Sequence, residues 1–448
     1  MPAICMLGAS TTWVPRILTD LQAVFDERLD VRIVDVNEKA AALGAEWGEV
    51  ATRKRNRNDS FLATTNRRQG LAGADAVIIA LHVGGLQAME RDLAIPEKYG
   101  IYTTVGDTTG PSGWSRAIRN IPVFREFAQD FAEVCPRALI INYSNPMAAL
   151  TATLQHTCSN PVVGLCHSYF ETRDFIQYLF NLPDQSSISL SIAGMNHFTW
   201  VVDFRIGREE GYRLLRDRID GGSLRDLLQA DHTPEGERYA GSELAAELYD
   251  AFGYLPYPGD RHIAEFVSFA LCGNPERYTK PDAEGEPPRE YIRYCNIRRT
   301  SIAERRAAIP QREANLRAQI SGEKPLPTRS RETGADMIRA YLHNRPLNDA
   351  VNVLNVGQIP GLPLGACVET FGVVDGMGVR PVVVPNVPEH LLEIMRPQAV
   401  CQKWLTQGVL ENDPDLLLQA LLRDPQCAHL TTDQVRDMAR ELAPHAGI

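Results

Sequence analysis

The sequence predicts an α/β protein: an N-terminal doubly wound parallel sheet followed by an α+β C-terminal part. Three observations predict it. Short aliphatic runs alternate with helical stretches over residues 1–183, each run ends in small or polar residues, and the texture changes beyond Pro183. In order, Ala3 to Leu7 reads as a buried strand, Gly8-Ala9-Ser10 as a turn and Val14 to Phe25 as a helix. Val31 to Val34 is a second strand ending at Asp35, and further strands follow at Ala76 to Ala80 and Ala138 to Asn142. Val162 to Leu165 delivers Cys166 and His167 at its carboxyl end. Strands separated by helices imply parallel pairing with right-handed crossovers. Ser187 to Ala193 opens the second part, where charged helices are interrupted by Pro and Gly, and Glu284 to Pro288 and Lys324 to Pro327 read as loops. The division expected is 1–183 for nucleotide binding and 184–448 for substrate, metal and assembly.

Composition narrows the classes. With 448 residues, 44% hydrophobic and 23% charged, the chain has ordinary globular values and length enough for more than one core. A net charge of −10 argues against nucleic acid as a partner, and no apolar run approaches the roughly 18 residues that would cross a bilayer. The basic run Arg53-Lys54-Arg55-Asn56-Arg57 reads as a solvated surface stretch. Nine cysteines at irregular spacing, without CxxC pairs, and a start without an export signal imply reduced thiols in the cytoplasm.

Two places carry chemistry. A turn of small residues after the first strand lets backbone amides approach a pyrophosphate at a helix N-terminus, as in Rossmann-like domains, and Gly8, Ala9 and Ser10 fit that task. Asp35, at the tip of the second strand, suits the ribose hydroxyls of NAD and would repel the extra phosphate of NADP; its alternative role is a helix cap. Cys166 and His197 each follow an apolar strand. A thiolate with an imidazole suits a borderline divalent ion such as Mn, Fe, Co or Ni, and two protein ligands leave positions open for substrate oxygens. Taken alone, a Cys and a His this far apart are also ordinary core residues.

The ordered set Val83-Gly84-Gly85, Arg91 to Pro96, Gly100-Ile101, Val105 to Gly110, Arg116 to Pro122 and Asn142 to Met147, then Gly164 to Ser168, Gly194 to Trp200, Gly259 to Phe266 and Asn355 to Ile359, with Leu362-Pro363 and Val368-Glu369, resembles glycoside hydrolase family 4, the NAD- and metal-dependent glycosidases. The Cys-His pair at 166–167 resembles the branch acting on unphosphorylated α-glycosides, and the context is closest to the bacterial α-galacturonidases, with α-galactosidase and α-glucosidase as neighbours. The first turn departs from the GGGS or GAGS that the family often carries. The resemblance implies NAD and Mn2+ (or Co, Ni or Fe) as cofactors, a small α-glycoside as substrate, a homodimer or homotetramer, and no net redox change. Hydride leaves the sugar C3, a base removes the C2 proton, the leaving group is eliminated, water adds and the hydride returns.

By the same resemblance Cys166 and His197 hold the metal, and Val83 and Gly84 join the cofactor loop. Asp260 is the first choice of base and Tyr257 the second, while Asp260 as a helix cap is the structural alternative. His167 protonates the leaving oxygen. Asp107 and Asn145 hold sugar hydroxyls, Asn196 does likewise or orients His197, and Arg261, Arg91 or Arg116 receives a uronate carboxylate. His262 is structural by default. An ordinary NAD-dependent dehydrogenase and a non-catalytic NAD or sugar sensor are the rival classes.

Overall fold

The computed structural model describes residues 1–448 except 232, 234, 235, 237, 238, 240 and 282–285, so Glu284 and Gly285 of the first expected loop lie outside the described residues. Fifteen strands are described: β1 Ala3–Leu7, β2 Asp30–Val34, β3 Ser60–Thr64, β4 Ala76–Ile79, β5 Leu139–Asn142, β6 Val162–Gly164, β7 Ile188–Met195, β8 Phe198–Ile206, β9 Glu209–Glu210, β10 Arg277–Lys280, β11 Arg289–Ile292, β12 Ile297–Arg299, β13 Leu347–Leu354, β14 Cys367–Asp375 and β15 Gly378–Pro381. One sheet runs β3-β2-β1-β4-β5-β6-β13-β14-β7-β8-β9, with β15 on β14, and β10-β11-β12 form a second, small sheet. The first six strands pair in parallel. Except in the half-buried edge strand β3, their aliphatic residues are buried on both faces because helices cover both, which is why they read as unbroken apolar runs.

Helices Trp13–Val24 and Glu38–Lys54 cover one face, and Gly110–Val134 covers the other. The C-terminal helices Glu389–Glu411, Pro414–Arg423 and Thr432–Leu442 contribute Leu405, Leu421 and Met438 to the same core as Phe124 and Phe131. The sequence after the expected boundary at 183/184 thus adds helices to the first core, while Phe198, Trp200, Tyr257 and Phe266 build a further one. The outer edge of β6 would present unpaired amides and carbonyls unless another strand covered it. Strand β13, from the far end of the chain, pairs antiparallel with it.

That arrangement sets up the site. Gly164 on β6 lies opposite Asn352, Asn352 opposite Glu369, Glu369 opposite Gly194 and Gly194 opposite Thr199. One row across the sheet thus links β6, β13, β14, β7 and β8, and the Thr199 carbonyl accepts the Tyr257 amide at 2.9 Å. Cys166 and Asn196-His197 follow this row on the antiparallel strands β6 and β7, and the Glu369 side chain within the row bonds Ser168 on one side and Asn196 on the other.

The basic run has a structural task. Arg55 donates to Gln22, Thr19 (3.1 Å) and the Pro327 carbonyl (2.9 Å), and Arg57 pairs with Asp59 at 2.8 Å, tying the end of helix Glu38–Lys54 to its neighbours.

Candidate active site

At the nucleotide end, strand order β3-β2-β1-β4-β5-β6 reverses direction between β1 and β4, and crevices at such a reversal receive dinucleotides. Gly8 sits there at φ +106°, and a Cβ on it would meet the Ala80 carbonyl oxygen at 2.3 Å, so only glycine lets the backbone pass. Asp35 accepts the amides of Ala9 at 2.7 Å and Asn37 at 2.8 Å, bracing the turn. The cap of helix Glu38–Lys54 is Asn37, not Asp35. Ser10 Oγ accepts the amides of Thr12 and Trp13, both at 3.3 Å. Gly84, at φ +85°, precedes helix Gly85–Glu97, and the neighbouring Val83 carbonyl accepts from Arg119 Nε at 3.0 Å. A strand end, a glycine that tolerates no side chain and a braced acidic residue together fit an NAD pyrophosphate and ribose.

At the other end, β7 and β8 close with the two-residue turn Asn196-His197. His197 adopts φ +66°, a left-handed conformation that glycine or asparagine fills more readily, so its imidazole is held there at a conformational cost. Its Nδ1 lies 2.7 Å from Thr108 Oγ, and that hydroxyl donates to Asp107 at 2.8 Å. With the hydroxyl proton spent on Asp107, Nδ1 must be the donor toward Thr108, which leaves the lone pair on Nε2, the form that ligates a metal.

The His262 ring is 3.9 Å from that of His197, and its Nδ1 is buried without a hydrogen-bond partner. Asp107, His197 and His262 each offer an atom within 4.8 Å of the others, a mixed N/O set of the kind that holds divalent ions. Burial opposes ionisation of Asp107, but the two imidazoles and Arg116 outweigh it and hold its carboxyl below the usual range. His262, structural by default in the sequence, thus faces the site, and Asp107 stands among potential cation ligands as well as near substrate.

Cys166 lies outside that three-residue group. Its half-buried thiol is hydrogen-bonded by Asn196 and Ser168, and burial together with Glu369 pushes it up to about 12. Such a thiol becomes an anion only against a cation. Buried Glu369 gathers Ser168 Oγ (3.0 Å), Asn352 Nδ2 (3.1 Å) and Asn196 Nδ2 (3.4 Å), so it orients the residues beside both Cys166 and His197. Imidazole and carboxylate donors at Asp107, His197 and His262, with the Cys166 thiol held by Asn196 and Ser168 beside them, fit a borderline divalent ion.

Tyr257 is buried, its ring centroid 6.4 Å from that of His197, and its hydroxyl donates to Glu171 at 2.7 Å. Burial and the Glu171 charge raise its pKa well above the ordinary value. Asp260 is placed differently from the expectation of a base. Its two oxygens accept the amides of Leu244 (2.7 Å) and Ala245 (3.0 Å), capping helix Glu243–Phe252, whose own N-cap Ser242 instead donates to the Pro258 carbonyl. His167 is exposed, with Glu171 at 3.9 Å and Glu332 at 3.8 Å. Asn145 Nδ2 reaches Asp107 at 3.4 Å, and Arg116 Nε donates to the Asn145 carbonyl at 2.9 Å. Arg91 is a surface residue bonded to the Glu441 carbonyl. Sequence reading assigned no role to Glu369, Glu171 or His82, although Glu369 falls within the resemblance and His82 directly precedes Val83-Gly84-Gly85. Among the described residues the His82 Nε2 is buried without a partner, and burial with the Arg116 and Arg119 charges pulls it down to about 3.

A dinucleotide crevice and a thiol-imidazole-carboxylate cluster on one sheet define an α/β enzyme of the cofactor-dependent class. The family 4 glycosyl hydrolase profile matches residues 3–182 and that family's C-terminal domain profile matches 192–427, so the chain belongs to glycosyl hydrolase family 4. An α-galacturonidase of Thermoanaerobacterium saccharolyticum is 30% identical, over 93% of this chain and 90% of that protein. The crystal structure of a Bacillus subtilis protein provisionally called a glucosidase superimposes with a TM-score of 0.84 at 26% identity, covering 99% of this chain and 100% of the other. A 6-phospho-α-glucosidase from gut microorganisms, in complex with NAD and Mn2+, has the same fold at a TM-score of 0.76 and 18% identity, over 99% and 98% of the two chains. Among the described residues no helix is long and apolar enough to cross a membrane.

Proposed function

We propose that this glycosidase hydrolyses small α-glycosides, with α-galacturonides preferred, using NAD and a divalent ion such as Mn2+. The observation that carries the reading is the sheet row centred on Glu369, whose side chain bonds Ser168 and Asn196, the neighbours of Cys166 and His197, with the Tyr257 ring stacked on that of His197. NAD in the β1–β4 crevice would accept and return the sugar C3 hydride, and a metal held by Cys166 and His197, with Asp107 or His262 alongside, would polarise the C2 and C3 oxygens. Tyr257 removes the C2 proton as its own hydroxyl proton passes to Glu171, the carboxylate to which it donates. This role passes to Tyr257 because both oxygens of Asp260 are engaged by helix amides. His167, exposed at the rim between two carboxylates, delivers a proton to the leaving oxygen. Asn145 and Asp107 hold sugar hydroxyls, and Asn196 keeps His197 and Cys166 in register. Nine unbridged cysteines support work in a reducing cytoplasm, and a homodimer or homotetramer is the assembly proposed.

The test is release of 4-nitrophenol from 4-nitrophenyl α-D-galacturonide. Hydrolysis that requires NAD in catalytic amount and Mn2+, without net NADH, supports the reading. Stoichiometric NADH without 4-nitrophenol would establish a dehydrogenase instead, and undiminished hydrolysis after removal of nucleotide and metal would overturn it.

A further inference from the structure

Arg116, Arg119, Arg261, Arg298, Arg299 and Arg305 divide into two kinds. Arg119 pairs with Asp92 at 2.6 Å, Arg298 with Glu304 at 2.6 Å and Arg299 with Glu97 and Glu290, so these three are spent on structure. Arg116, Arg261 and Arg305 are different. Among the described residues none of them has an ion-pair partner; their hydrogen bonds run to neutral oxygens, Arg116 to the Asn145 carbonyl, Arg261 to Thr300 Oγ at 2.6 Å and Arg305 to the Val105 carbonyl at 3.1 Å. The Nε atoms of both Arg261 and Arg305 are buried with no partner.

These bonds fix where the guanidiniums stand. Arg305 is anchored two residues before Asp107, and Arg261 directly precedes His262, whose ring atoms group with Asp107 and His197. The Arg261 carbonyl accepts from Thr104, and the Thr300 amide donates to the Thr104 carbonyl at 3.2 Å, so both arginines border the same 104–107 loop. Asp107 and Glu265 act on both guanidiniums through space without a direct ion pair, and burial outweighs them, so a ligand that brings a carboxylate into contact offsets a cost the protein leaves uncompensated. A planar carboxylate takes two parallel N–H bonds from a guanidinium fork, a geometry that a hydroxymethyl group cannot return.

We infer that Arg305 and Arg261 form the clamp that receives the C6 carboxylate of the sugar and so select uronides over neutral hexosides. The inference rests on the proposed glycosidase reading and assigns a specificity role to Arg305, a residue outside every motif of the sequence.

The experiment compares kcat/KM for 4-nitrophenyl α-D-galacturonide and 4-nitrophenyl α-D-galactoside in the NAD- and Mn2+-loaded enzyme, together with calorimetric binding of free D-galacturonate, D-galactose and D-galactose 6-phosphate. Arg305→Gln and Arg261→Gln are each expected to lower the uronide-to-galactoside ratio by about 100-fold, and Arg305→Lys, which keeps charge but loses the fork, by about 10-fold. The galacturonate Kd should rise in step. Arg91→Gln, at the surface, should keep the wild-type ratio. Variants that retain the wild-type ratio and galacturonate affinity would refute the clamp while leaving the galacturonide reading intact. A wild-type enzyme that prefers the galactoside would overturn that reading and the clamp with it. Tighter binding of the sugar phosphate than of galacturonate would overturn the assignment to a carboxylate.

Discussion

Asp260→Ala removes a carboxylate that caps a helix from a distance of sixteen residues in sequence. Its oxygens take the Leu244 and Ala245 amides, and nothing local replaces them, because Ser242 spends its hydroxyl on the Pro258 carbonyl. A lost cap costs about 1 kcal/mol, and two amides left unpaired in a buried setting add roughly 1 kcal/mol each or more, for a total of about 3 kcal/mol. Asp260→Asn keeps one acceptor oxygen and should lose about half of that. The assay is site-resolved hydrogen exchange. Protection at Leu244 and Ala245 should fall by about 100-fold in the alanine variant, while kcat for α-galacturonide hydrolysis by the asparagine variant stays within about 10-fold of wild type. The reasoning is refuted if the asparagine variant loses about 1000-fold or more in kcat with exchange at these two amides undisturbed, since the carboxylate would then be doing chemistry.

Tyr257→Phe removes the proposed C2 base and should lower kcat by about 100- to 10,000-fold with little change in KM, abolishing uptake of solvent deuterium at C2 of the product; persistence of that exchange excludes the tyrosine. Gly8→Ala places a Cβ 2.3 Å from the Ala80 carbonyl oxygen at φ +106°, so NAD affinity measured by fluorescence titration should fall by about 100-fold or the turn should be displaced, lowering thermal stability by about 2 kcal/mol. Glu265, fully buried and accepting the Val105 and Gly106 amides, is raised by burial and the Asp107 charge to about 7, against 4.5 when exposed. A carboxyl raised on folding contributes its stability below about pH 4.5 and loses it as pH climbs through 7. The wild type should therefore lose roughly 3 kcal/mol relative to Glu265→Gln between pH 4 and pH 8, read from unfolding midpoints at each pH.

Much of the parallel sheet was legible because its strands are aliphatic on both faces: Ala3–Leu7 falls as expected, and the strands at 30–34, 76–79, 139–142 and 162–164 lie within one or two residues of expectation. Strand β3, Ser60–Thr64, escaped because an edge strand is only half-buried and its five residues carry little pattern. The pairing of β6 with β13 was illegible for a different reason: the partners are nearly two hundred residues apart, and no local property of Asn352 announces Gly164. The site follows the same division. Cys166 and His197 stand out as reactive types at strand ends, whereas Glu369, Glu171 and Arg305 acquire meaning only from what the sheet and the helix Ile302–Ser321 place beside them. Asp260 shows the converse, since its position in the Gly-Asp-Arg-His stretch fits a base and the fold spends it on backbone amides.

The insertion of β13 and β14 between β6 and β7 sets an order on synthesis. Strands β1 to β6 leave the ribosome first and can begin to associate, but the ladder that aligns the Cys166 and His197 turns waits until about residue 375 has emerged. A nascent chain stalled short of that point holds an unsealed strand margin and no assembled pocket, so reactive chemistry is withheld until β14 has been made.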